Sequence, residues 1–72
     1  MNLELTRELL TAATRQAETP YRVSERDATR EVELLADAGF VDAALVTIEG
    51  QDIAIIKRVT TAGKKLLNVL AP

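Results

Sequence analysis

A chain of 72 residues has room for one domain around a small core, and below roughly 70–80 residues such a core seldom supplies more than about 3–5 kcal/mol of net stability. The absence of cysteine and histidine excludes disulfides and thiolate or imidazole metal sites, so the expected supplements are good packing or self-association. The formal net charge of −2 hides a polarity, because residues 1–52 carry five basic and eleven acidic side chains while residues 53–72 carry four basic and none acidic.

Residues 3–17 read as a helix. Asn2 is an N-cap, Glu4 sits at the positive end of the helix dipole, and the interior holds no glycine or proline. Leu3, Leu10, Ala13 and Ala17 form one apolar stripe, with Leu5, Leu9 and Ala12 as a second beside it, so this helix packs centrally or shares its second stripe with another subunit. Pro20 forces the end of that helix, and Tyr21-Arg22-Val23 is long enough only for an extended link or a one-bridge strand.

Ser24 is the expected N-cap of a second helix running to Ala38. Ala28, Val32 and Leu35 share one face, Arg26, Arg30, Glu33 and Asp37 lie on the opposite one, and Arg30 is spaced to pair with Glu33. Gly39 suits a left-handed C′ position, and Phe40 would then contact Leu35 as in a Schellman ending.

Residues 43–48 and 53–59 are rich in β-branched residues and flank a tight turn, Glu49-Gly50-Gln51-Asp52, which reads as a hairpin pairing Ile48 with Ile53. Val46, Ile48, Ile53 and Ile55 then share one face, and Leu45, Thr47, Ala54, Ile56 and Arg58 the other. One face belongs to the core, and the second is too apolar for comfortable exposure. Thr60 caps a last helix over residues 61–70, with Leu66, Leu67 and Leu70 inward and Lys64, Lys65 and Asn68 outward.

Two passages carry a resemblance. Thr29-Arg30-Glu31-Val32-Glu33-Leu34-Leu35-Ala36-Asp37-Ala38-Gly39-Phe40-Val41-Asp42 resembles the end of the recognition helix and the start of the wing in bacterial winged-helix regulators. Val59-Thr60-Thr61-Ala62-Gly63-Lys64-Lys65-Leu66-Leu67 resembles the strand and Thr-x-x-Gly-x-x-Leu-Leu passage that follows the wing. Together they cover about half the chain. Its length and order look most like short winged-helix proteins of bacteria, often phage- or prophage-encoded, whose function is not characterised. The resemblance implies an α+β winged helix occupying residues 1–72 as a single domain. Residues 18–23 leave no room for the extra helix of usual helix-turn-helix regulators, so either the first helix breaks near Thr11 or Thr14 or this is a trimmed winged helix.

For function, the expectation is a DNA-binding transcriptional regulator, with a protein-interaction module as the alternative. Arg22, Arg26, Thr29 and Arg30 are the candidates for entering a major groove of double-stranded DNA, and Lys57, Arg58, Lys64 and Lys65 for gripping phosphates. Against this stand two basic and five acidic residues between Ser24 and Ala38, and Glu49 and Asp52 at the hairpin tip. Leu5, Leu9, Ala12, Leu45 and Ile56 are the candidate surface for a homodimer or another protein partner. The serine and acidic residues have helix-cap or surface roles and the glycines make no phosphate-binding pattern, so no catalytic role, cofactor or metal is expected. No apolar run approaches the roughly 20 residues that span a bilayer, and the start lacks secretory features, so a soluble cytoplasmic protein is expected.

Overall fold

The computed structural model describes residues 2–16 and 18–71, and its architecture is α+β: three helices and a three-stranded antiparallel sheet. In chain order these are α1 (Leu3–Arg15), β1 (Tyr21–Val23), α2 (Arg26–Asp37), β2 (Val41–Ile48), β3 (Gln51–Val59) and α3 (Thr61–Leu70). The sheet order is β1-β3-β2, which places the longest strand in the centre.

Helix α1 begins where Asn2 Oδ1 accepts from the Leu5 N–H at 3.1 Å, satisfying one of the free donors of the first turn. It runs unbroken through Thr11 and Thr14 and ends at Arg15, and Ala17, expected as its last residue, lies outside the described residues. The link at Tyr21–Val23 is more than a single bridge, because all three residues pair with β3, Tyr21 opposite Ile56 and Val23 opposite Ala54.

Helix α2 starts one residue later than its sequence signal. Glu25, not Ser24, is its N-cap and makes no side-chain cap bond; the Thr29 hydroxyl donates to the Glu25 carbonyl at 2.8 Å instead. Its end follows the expected Schellman geometry. The Phe40 N–H donates to the Leu35 carbonyl at 2.9 Å, the Gly39 N–H donates to that of Ala36 at 3.0 Å, and Gly39 takes φ +85°. The expected Arg30–Glu33 pair does not form; the ion pair among the described residues joins Arg58 to Asp42 at 3.5 Å across the hairpin, and its exposure leaves it little stabilising weight.

The hairpin is tighter than expected. Glu49 (φ +53°) and Gly50 (φ +80°) alone form the connection, in the manner of a type I′ turn, so Gln51 and Asp52 belong to β3. Ile48 therefore faces Gln51, and Ile53 faces Val46. This shift of two positions leaves the side chains from Ala43 to Ile56 on the faces that alternation assigns them, but the bulge at Lys57 carries Arg58, expected with Ala54 and Ile56, to the outer face opposite Asp42.

The helices meet the sheet in one core: Leu9, Leu10 and Ala13 from α1, Ala28, Val32 and Leu35 from α2, and Val41, Ala54 and Ile56 from the sheet. The inner face of the sheet is thus the one that carries Ala54 and Ile56. Within this apolar interior lies one carboxylate. Glu31 is 5% exposed, its Oε2 accepting from the fully buried Thr6 hydroxyl at 2.8 Å and its Oε1 from the Asn2 N–H at 3.2 Å. The pair clamps the start of α1 to the middle of α2, and the positive end of α1 favours the negative charge. Among the described residues no buried side-chain polar atom lacks a partner.

The body is closed at one junction. Thr60 Oγ1 donates to the Gly39 carbonyl at 2.7 Å and accepts from the Gly63 N–H at 3.1 Å, while the Thr60 N–H donates to the Phe40 carbonyl at 3.1 Å. The residue that caps α3 thereby fastens the end of α2.

Candidate functional site

Arg26 and Arg30 are one helical turn apart on the exposed face of α2, and the spacing that buries Ala28 and Val32 turns both arginines outward. They line a groove of about 500 Å³ between this helix and the hairpin tip, together with Ser24, Glu33, Gln51 and Asp52. The helix and the tip of the hairpin thus face the same space. Two cationic and two anionic side chains share it, and Asp52 is engaged by the Thr47 hydroxyl at 2.8 Å.

The other candidates divide. Thr29 lines the same groove but is 8% exposed, where the sequence placed it on the exposed side, and its hydroxyl is spent on the Glu25 carbonyl, so it has no free donor to offer a base edge. Arg22 is exposed on β1 opposite Ile55, which places it on the outer face of the sheet and away from the groove.

Lys57, Arg58 and Lys64 come together in a second groove, of about 310 Å³, where the end of α1 (Ala13, Thr14) and Thr19 meet β3 and α3. Arg58 also reaches Asp42 there, so Lys57 and Lys64 are its less encumbered cations. Lys65 is exposed on α3 and does not line this groove.

The surface expected for self-association is redistributed by the fold. Leu9 is 4% and Ile56 1% exposed, so both are core residues, and Leu5 and Ala12 are half-buried along α1. The second stripe of α1 closes this molecule and is not a free face, because α2, α3 and β3 all pack around that helix. The hairpin polarity is likewise the reverse of the expectation that grouped Leu45 with Ile56 outside. Ile56 points inward, and Ala44, Val46, Ile48, Ile53 and Ile55 form the outer face. Leu45 shares the inner side yet stays 48% exposed, because it lies toward the tip, beyond the buried residues of the sheet.

One feature had no sequence signal. Glu4, Glu8, Glu25, Asp27 and Glu31 line a cleft of about 450 Å³ between the N-terminal halves of α1 and α2, with Arg30 at its rim. Acidic and basic grooves therefore lie at opposite ends of α1, a helix about 20 Å long by its rise per residue.

Among the described residues, no group of three or more acidic side chains is arranged to hold a metal ion, and no helix is long and apolar enough to cross a membrane. Compared with known proteins, the chain matches no family model, no curated protein and no solved structure.

Proposed function

We propose that this chain is a small, trimmed winged-helix protein that binds double-stranded DNA and acts as a transcriptional regulator of bacterial or phage type. The order helix, strand, helix, hairpin, helix supports the winged-helix reading, with α2 as the recognition-like helix and β2–β3 as the wing. The unbroken α1 favours the trimmed form over one with an additional helix.

The observation that carries the DNA reading is the pair Arg26 and Arg30, one turn apart beside the hairpin tip. Guanidinium groups so placed suit guanine edges or flanking phosphates when the first half of α2 enters a major groove. Glu33, which lines the same groove, opposes a phosphate there, so the contact falls to the first half of α2. Lys57 and Lys64, in their own groove, would meet phosphates without reading sequence.

The test is fluorescence anisotropy of the full chain on mixed-sequence duplexes from low to physiological salt. Binding should weaken steeply with salt, and R26A/R30A should lower affinity and reduce the log–log salt slope by about two, one per lost phosphate-type contact. No binding at low salt would refute the proposal.

A second reading, a protein-interaction module without DNA binding, draws on the acidic cleft between α1 and α2. Its walls suit a basic partner segment and would repel a nucleic acid. Absence of duplex binding at low salt would favour it.

A further inference from the structure

The strand order β1-β3-β2 leaves an eight-residue backbone edge, that of β2, and among the described residues nothing pairs with it. In a two-residue hairpin the residues flanking the turn form a hydrogen-bonded pair, and such pairs alternate with non-bonded ones along the ladder. Ile48, Val46 and Ala44 therefore spend their N–H and C=O groups on β3, while those of Thr47, Leu45 and Ala43 point to the open edge. The opposite edge of the sheet, β1, is three residues long and carries Arg22.

Sheet proteins blunt such edges with lysine, proline or inward-pointing charges. Residues 43–48 (Ala-Ala-Leu-Val-Thr-Ile) have none of these. Of the six exposed large apolar residues, three lie here: Leu45 at 48%, Val46 at 37% and Ile48 at 49%. Half of the exposed large apolar residues among the described ones thus lie on the strand whose edge is open.

We propose that β2 is a homodimerisation strand: two copies pair antiparallel about a two-fold axis at Leu45, joining two three-stranded sheets into one of six strands. The alternation fixes the register. An axis at Leu45 sets that residue opposite itself and Ala43 opposite Thr47 of the second copy, so every outward N–H and C=O of the segment finds a partner. An axis at Ala43 would set Thr47 opposite Gly39 of the second copy, outside the strand, and one at Thr47 would run the pairing into the turn.

Charge favours a second copy as the occupant. The paired segment is uncharged, so self-pairing sets no like charges directly opposite. Within the strands, Glu49 approaches Asp42 of the other copy, and Arg58, 3.5 Å from Asp42, offsets it; from α2, Glu33 lies beside Leu45, Val46 and Thr47 and is the charge nearest the axis. Pairing along about 20 Å of strand buries on the order of 400 Å² per copy, about half of what a standard stable interface buries. The dimer is accordingly reversible and concentration-dependent. It stands independently of whether the protein binds DNA.

Sedimentation of the full chain from about 1 μM to about 1 mM, the range of affinity a contact of this size supports, should show the apparent mass rising from the 7.9 kDa monomer toward twice that value. L45K, which sets two lysines face to face, should hold the protein monomeric across the range with its circular dichroism unchanged. The chain has no cysteine, so L45C gives a single thiol whose Cα lies about 5.5 Å from its counterpart, within disulfide reach, and mild oxidation should cross-link it. In V46C the counterparts are displaced along the strands to about 8 Å, beyond reach, and should not cross-link. If L45K loses its fold, concentration-dependent protection of the Leu45 amide against hydrogen exchange decides in its place. A monomer at every concentration, a dimer that survives in folded L45K, or V46C cross-linking as readily as L45C would overturn the proposal; the first would leave the edge to a strand of another protein.

Discussion

At Gly63 an added methyl group would meet the Phe40 carbonyl oxygen, and Val59 Cγ1 at 2.7 Å, whereas at Gly39 it would meet nothing within 4 Å. The two glycines are therefore required for different reasons: Gly63 for a close approach of helix to backbone, and Gly39 for its φ of +85°. G39A should cost about 1–2 kcal/mol, the penalty of a left-handed alanine. G63A should cost more, up to about 3 kcal/mol, because the colliding atom is backbone and yields only if α3 moves. Thermal melts check the order, since in a domain of this size each kcal/mol displaces the midpoint by roughly 4–8 °C. An equal shift in the two variants would show that α3 can slide without penalty. The same residue scale holds Glu31, whose burial depends on the Thr6 hydroxyl and on the start of α1 arriving beside it. Helical spacing sets it apart from the exposed Glu33, since Glu31 stands three residues after Ala28 and four before Leu35, but the partner that satisfies it lies in another helix.

The elements show how far a linear pattern reaches. The whole of α3 was legible because a capping threonine and a 3.6-residue pattern agree on it, and the end of α2 was legible because Gly39 and Phe40 each specify it. The register of the hairpin was not. Gln51 and Asp52 are poor strand formers by composition, yet a turn needing only two residues draws them into the ladder and leaves Glu49 at φ +53°. Glutamate is an unusual occupant of that position, and E49N should raise stability by about 0.5–1 kcal/mol by relieving it. Urea denaturation checks this, and a loss would show that the Glu49 side chain stabilises the tip. Alternation also sorted the hairpin into two faces but put the wrong one outside, because both are apolar; that choice falls to the helices, which pack on Ala54 and Ile56. For the same reason, the pairing of Arg26 with Arg30 could be read from helical spacing, whereas the groove they share with Gln51 and Asp52 depends on where the hairpin tip lies.

The whole molecule is charge-polarised along α1, with an acidic cleft where α1 and α2 begin and a basic groove where α1 ends. An approaching polyanion would be steered toward one end and repelled from the other. Nine buried apolar side chains among the described residues make a small core. If β2 pairs with its copy, the melting temperature should rise by a few degrees over a hundredfold increase in protein concentration, by mass action, and L45K should abolish that dependence. Scanning calorimetry at two concentrations tests this. The Thr60 junction has a consequence of its own. By fastening residue 60 to Gly39, it closes the intervening hairpin into a cassette with both ends anchored and its tip free. The loop at Glu49-Gly50 can therefore change in length or chemistry without displacing the helical body. The tip is thus the part of this chain that can vary while the scaffold stays constant.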